Sequence, residues 1–288
     1  MKLLISLIAI STVFFILPDA IAKGDVVTVA VPSESLDDYN GFINSIKKKP
    51  TNITNFTSPF TTRAVVTLVL LRQALKIGDF PHEIRFIPAP NSQRAQVEVR
   101  SGKHVAVGTD IWSEKFDRRV FKSKAIILEG QFIKGIYGLL ENKKLFAVRS
   151  LKDLQACCNI VSSKMWAADR STIEKMKLKK VYDTPTAKSM VKMVSKKRSD
   201  FTIWEFQGSE DLSLRSFGEV LHPVPNLKIV LRSTRHYMVS KVHPHGEAYF
   251  KALNKGVAKL IKQGTYEKAY KESGFFNSVT KNWKAINL

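Results

Sequence analysis

Two cysteines and twenty-five acidic side chains are little for a chain of 288 residues that carries 46 Lys and Arg. The cysteines are the adjacent pair Cys157 and Cys158. Adjacent cysteines fall outside the usual disulfide separations, so they predict no disulfide framework and read as small buried hydrophobes. They also lack metal-ligand spacing. Several catalytic signatures are missing too: there is no G-x-S-x-G, no H-E-x-x-H and no glycine-rich phosphate loop. Beyond the N-terminus the longest apolar run, Ala64 to Leu71, is far too short to span a bilayer. No internal repeat and no low-complexity linker interrupts the chain.

What is present starts with a leader. Met1-Lys2 is a basic start, Leu3 to Pro18 is almost wholly apolar, and Asp19 to Ala22 ends in the small residues of a cleavage site. Residues 1–22 read as a secretory signal peptide, which predicts a periplasmic, soluble mature chain. The leader holds one Lys and one Asp, so the formal net charge of +21 survives its removal. The cations are scattered over Lys47 to Lys49, Lys175 to Lys180 and Lys196 to Arg198. Such runs read mainly as solvated helix faces and loops, with steering of anions or a membrane surface as the other use. No nucleic-acid module is visible, and no nucleic-acid partner is expected.

The hydrophobic fraction of 44% supports a globular α/β chain. Val26 to Val31 reads as a strand, and residues 33–60 as polar and turn-rich. A buried helix from about Thr61 is closed by Gly78. The stretch around Ile84 is a strand, a helix follows that is capped by Asn91 or Ser92 and stopped by Gly102, and His104 to Trp112 is a third strand. A second β-α-β-α-β series follows from Gln131 through Ser150, Cys157 to Ser163, Met165 to Leu178 and Pro185 to Arg198, ending in the strand Ser199 to Phe206. The alternation predicts parallel sheets flanked by helices, in two similar lobes. One or two strands, a long amphipathic helix from Gly246 and a short helix ending at Gly274 complete the tail.

The tail "RHYMVSKVHPHGEAYFKALNKGVAKLIKQGTYEKAYKESGF", the middle segment "SLKDLQACCNIVSSKMW" and "SMVKMVSKKRSDFTIWEF" together resemble the type II periplasmic solute-binding proteins that present amino acids to ABC importers. That resemblance implies a two-lobed periplasmic-binding-protein type II fold. Lobe 1 would be residues 23–135 and 214–288, and lobe 2 residues 136–213. It implies a monomer that captures a small polar or anionic, amino-acid-like metabolite in the interlobe cleft, with no cofactor, and hands it to an ABC permease. A ligand-sensing or orphan protein of the same fold, acting through a membrane sensor, is the alternative.

The resemblance also selects side chains. Glu205 ends a lobe 2 strand where the family usually has an Asp that holds the ligand's ammonium; a hinge or surface salt bridge is the other reading. Ser162 and Ser163 end a strand and open a helix, as an anion site or as simple caps. Thr109, Asp110 and Trp112 end a lobe 1 strand and should face the cleft, although Trp112 equally suits a structural role. Trp166 and Tyr39 are candidates for stacking on ligand. The family places an Arg just after the lobe 1 strand; here Lys115, Arg118 and Arg119 are available, and Arg118 is taken as the candidate. No catalytic and no metal residue is expected: His243 and His245 in "HPHG" have no evident thiolate or carboxylate partner.

Overall fold

The computed structural model describes residues 25–206 and 208–288. The predicted leader lies outside them. Strand β1 (Val27–Pro32) opens the described chain and buries Val27, Val29 and Val31. Helix α1 (Ser33–Ile46) then occupies half of the stretch read as turns. Its reason is a face of Leu36, Tyr39, Phe42, Ile43 and Ile46, at helical spacing, packed on the core. Helix α2 (Arg63–Ile77) starts two residues after the expected Thr61, with Thr62 as its cap accepting from the Val65 N–H, and is closed by Gly78. Next come β2 (Ile84–Ala89) and α3 (Ser92–Arg100), the latter capped by Asn91, which accepts from the Arg94 N–H.

The expected third strand is two short ones, β3 (Ala106–Val107) and β4 (Ile111–Trp112), followed by β5 (Val120–Lys122) and the long β6 (Phe132–Gly138). The middle of the chain runs α4 (Lys143–Phe146), α5 (Leu151–Cys157), β7 (Ile160–Ser162), α6 (Ala167–Lys175), β8 (Val181–Asp183), α7 (Ala187–Ser195) and β9 (Thr202–Glu205). The last part runs β10 (Leu214–Ser216), β11 (Glu219–Pro223), β12 (Leu227–Leu231), β13 (Arg235–His236), β14 (Met238–Ser240), α8 (Gly246–Lys262), α9 (Thr265–Glu272) and β15 (Lys284–Ala285).

These strands form two main sheets. The first has the order β2-β1-β3-β14-β5, with β1 parallel to β2 and β3, and β14 antiparallel to β3 and β5. An early and a late segment of the chain therefore build it together. The second has the order β10-β11-β6-β12-β15, with β9 antiparallel on β6. Strands β7 and β8 pair in parallel, and a parallel bridge from Ile160 to Phe201 ties them to the start of β9. Helix α2 is buried nearly all round, as its apolar run predicts, and packs against α8. The approach is so close that a Cβ on Gly256 would lie 1.9 Å from the Ala74 carbonyl oxygen.

The cysteines correct the sequence reading. Cys157 and Cys158 are joined in a disulfide, with Cα atoms 3.7 Å apart, and only Cys158 is buried. Cys157 is the last helical residue of α5 and Cys158 turns to extended backbone. That change of direction lets adjacent side chains meet, which the rule for distant pairs does not cover. Among the described residues no helix is long and apolar enough to cross a membrane, and no group of three or more His, Cys, Asp or Glu could hold a metal ion.

Candidate functional site

The site is built where α2, the end of β3 and the end of β9 converge. Arg63 lies in the first turn of α2. A cation there opposes the helix dipole, so it needs acidic partners. It has two. Its Nη1 pairs with Asp110 Oδ1, and its Nε donates to both oxygens of Glu205 at 3.1 Å. Asp110 follows β3 and its side chain is fully buried. Its second oxygen pairs with Arg235 of β13, whose guanidinium also donates to the Asp110 carbonyl. Glu205 is the last residue of β9 and belongs to the second sheet. Arg63 thus joins the helix packed on the first sheet to a strand of the second.

Aromatic rings wall this ion cluster. The Arg63 guanidinium carbon sits 5.3 Å from the Phe132 ring centre and 5.8 Å from that of Phe275. Arg235 lies 4.4 Å from the Trp112 ring, and Trp112 in turn packs on Phe132 at 4.8 Å. Beneath, Thr67 Oγ1 lies 3.2 Å from both Asp110 Oδ1 and Tyr270 Oη, while Tyr237 Oη donates to the Thr67 carbonyl at 2.7 Å. Burial pushes the Tyr270 phenol well above its ordinary pKa, and Asp110 adds to the effect. Burial disfavours the Asp110 carboxylate, yet Arg235 and Arg63 hold its pKa below the ordinary value. Burial likewise opposes charge on Arg63, and Asp110 with Glu205 more than restores it.

A second pair adjoins the first. Lys134 stands cross-strand from Glu205 on β6 and is almost fully buried. It pairs with Asp169, in the first turn of α6, where an acid is favoured by the helix dipole. Its ammonium lies 4.9 Å from the Trp166 ring, which packs 5.5 Å from Trp204.

The structure brings Asp110, Trp112, Trp166 and Glu205 into this region. Thr109 is buried beside Asp110. Ser162 and Ser163 are buried at the end of β7, but they do not open the helix: α6 starts at Ala167, and Ser163 instead accepts from the Met165 N–H. The four-residue gap is a turn that the serine-rich end of the strand conceals. Tyr39 lies on α1 in the core, with its ring against Phe86. Arg118 is exposed before β5; its neighbour Arg119 and Arg100 hold Asp117.

Sequence reasoning missed Arg63, Arg235, Lys134 and Asp169. The signal for two of them was available. Arg63 is the single charge at the head of an apolar helix, and Lys134 the single charge in an apolar strand, and each such cation demands a partner.

No family model and no curated protein matches the chain. Solved structures do. The probable amino-acid ABC transporter extracellular-binding protein ytmK of Bacillus subtilis is 17% identical, with a TM-score of 0.58 over 87% of this chain and 98% of its own. The ancestral amino acid-binding protein AncCDT-1, a precursor of cyclohexadienyl dehydratase, is 15% identical, with a TM-score of 0.55 over 86% of this chain and 95% of its own. The periplasmic VFT2 domain of BvgS from Bordetella pertussis is 14% identical, with a TM-score of 0.54 over 90% of this chain and 93% of its own. At such identities the likeness speaks for the fold, and the chain has the two-lobed fold of the type II periplasmic solute-binding proteins.

Proposed function

We propose that this chain is an extracytoplasmic binding protein whose interlobe cleft takes a small zwitterion of the amino-acid type. The lobes would be residues 23–135 with 214–288, and residues 136–213. The observation that carries the reading is the Arg63–Glu205 bridge between aromatic walls. A zwitterion can split that pair and leave both halves compensated, its carboxylate on Arg63 and its ammonium on Glu205. A simple anion would leave Glu205 without its cation, and a simple cation would take Glu205 from Arg63; either leaves a partly buried charge short of a partner. The reading assigns the cleft binding alone: Asp110 stays paired with Arg235, and Glu205 is taken up by the ligand's ammonium.

Thermal melting of the refolded protein against amino acids, organic acids, amines and phospho-compounds tests it. A ligand at about 100 times its Kd adds about 2.7 kcal/mol of stability. Zwitterions should shift the melt of the native sequence, and Glu205→Ala should abolish the shift. A shift by anions alone, or one that survives Glu205→Ala, contradicts the assignment.

A second reading has its own support. The three cations Arg63, Arg235 and Lys134 are matched by three carboxylates, Asp110, Glu205 and Asp169. A cleft so balanced can close on its own side chains. That suits a protein of this fold that signals through a membrane partner, whereas delivery to an ABC permease requires solute release. If no compound in the panel shifts the melt, this second reading is preferred.

A further inference from the structure

The sequence's excess of positive charge has no role in the cleft, where charges balance. A share of it gathers on one surface outside the cleft. Helix α7 buries Met190, Val191 and Val194 and exposes Lys188 and Lys192; Lys196, four residues further, continues the same line. Lys197 and Arg198 follow in the exposed turn before β9. A groove of about 480 Å³ leads from this turn, past Val194, Ser199 and Asp200, to Leu139 and Asn142 at the head of α4. There Lys143 and Lys144 are exposed, and Leu140, 60% exposed, projects beside them.

The acids around the patch do not neutralise it. Glu141 pairs with Lys197 at 2.9 Å. Asp200 accepts from the Asn159 N–H at 2.7 Å and from Asn142 Nδ2 at 3.1 Å and keeps its charge, so these two acids offset only two of the seven cations. Lys143, Lys144, Lys188, Lys192, Lys196 and Arg198 form no ion pair among the described residues. The patch also lies away from the cleft. Strand β9 runs from Thr202 to Glu205, so the turn precedes its start while Glu205 stands at its other end, about 10 Å further along the strand.

We propose that this end of the second sheet's body, formed by α7, the turn after it and the head of α4, is a docking surface for an anionic lipid bilayer. Of these cations only Lys197 lines the groove, where Glu141 pairs with it; the others stand outside it on an outward helix face, the turn and the head of α4, so what they present is charge density rather than a shaped pocket. A bilayer surface supplies that as an extended sheet. The exposed Leu140 gives the patch one apolar tip to enter the headgroup layer.

Co-sedimentation with phosphatidylcholine vesicles, with and without phosphatidylglycerol, tests the assignment on the intact protein. Binding should require phosphatidylglycerol and weaken as salt rises. The triple variant Lys188→Ala, Lys192→Ala, Lys196→Ala should lose about fivefold per cation, so about a hundredfold in all. The control triple Lys255→Ala, Lys259→Ala, Lys262→Ala on α8 makes the same change in net charge elsewhere, and should lose far less. Circular dichroism and melting confirm that both variants fold, as substitutions at exposed positions should allow. Equal losses in the two triples would mean that net charge alone drives binding and would overturn the patch. Absence of binding to phosphatidylglycerol vesicles would overturn the lipid assignment, and retention on heparin in that case would point to an acidic macromolecule instead.

Discussion

Asp110 meets two guanidiniums with its side chain wholly buried. Replacing it with Ala would leave Arg63 and Arg235 facing each other without their shared anion. Removing one partner of a buried ion cluster costs about 3–5 kcal/mol, because the charge left behind is uncompensated. Urea unfolding of Asp110→Ala should show a loss of that order, and a loss under about 1 kcal/mol would mean that solvent already reaches the cluster. Histidines set a second residue-scale expectation. Burial is the largest influence on His104, His236 and His243, and holds each below the ordinary imidazole pKa of 6.5. Glu98 beside His104 and the Ser123 carbonyl on His236 oppose the shift without cancelling it. For His243, His245 and His104 reinforce it. The unfolded chain therefore takes up protons before the folded chain does. Stability is full above the ordinary imidazole range and falls as pH drops through it toward the lower folded values. Melting temperature should decline between about pH 7.5 and about pH 5.5; a flat profile there would contradict neutral burial of these rings.

Helices and hairpins separate what the sequence displays from what it hides. Helix α2 was legible from its apolar run and its Gly78 stop. Helix α1 was not, because polar residues and Pro50 beyond it mask an apolar face that only a helical count recovers. The hairpin β10–β11 was not legible either. Its turn residues Phe217 and Gly218 both have positive φ, 56° and 78°, and Phe is a poor advertisement for that conformation. Gly256 gains a physical meaning at this scale. It lies in the Ala-Leu-Asn-Lys-Gly segment that carries part of the family resemblance, and it is where α8 touches the backbone of α2. Gly78 makes the reciprocal contact, since a Cβ there would sit 1.9 Å from the Ala252 carbonyl oxygen. Gly256→Ala must therefore push the two helices apart, with a cost of about 1–3 kcal/mol or more. Its urea midpoint should fall clearly, while Gly264→Ala, where a Cβ meets open space, should lose only what its positive φ of 69° imposes. Equal losses would show that the helix contact is not the reason for the glycine.

On the scale of the molecule, the two-lobed fold was readable from the order of elements, because alternating strands and helices leave few ways to bury their apolar faces. The occupants of the cleft were only half readable. Asp110 and Glu205 stand at strand ends, where local sequence marks them, but the guanidiniums they meet are distant: Arg63 and Arg235 lie 47 and 125 residues from Asp110, and Arg63 lies 142 residues from Glu205. That closing contact bears on the conformation without solute. Hinge proteins exchange between open and closed forms separated by a few kcal/mol, and any interaction made only in the closed form shifts the balance. The Arg63–Glu205 pair joins the two sheets' bodies and is partly exposed, with 13% and 24% of the two side chains accessible. Screening by solvent limits such a pair to about 1 kcal/mol, a factor of about five in the populations. Small-angle scattering of the solute-free protein should therefore report a mostly closed particle, and Glu205→Gln should increase the radius of gyration without lowering helix content. Raising salt should move the native protein the same way and leave the variant unchanged. If the variant and the native protein scatter identically at low salt, apolar contacts hold the lobes together, and the Arg63–Glu205 pair does not set the closed population.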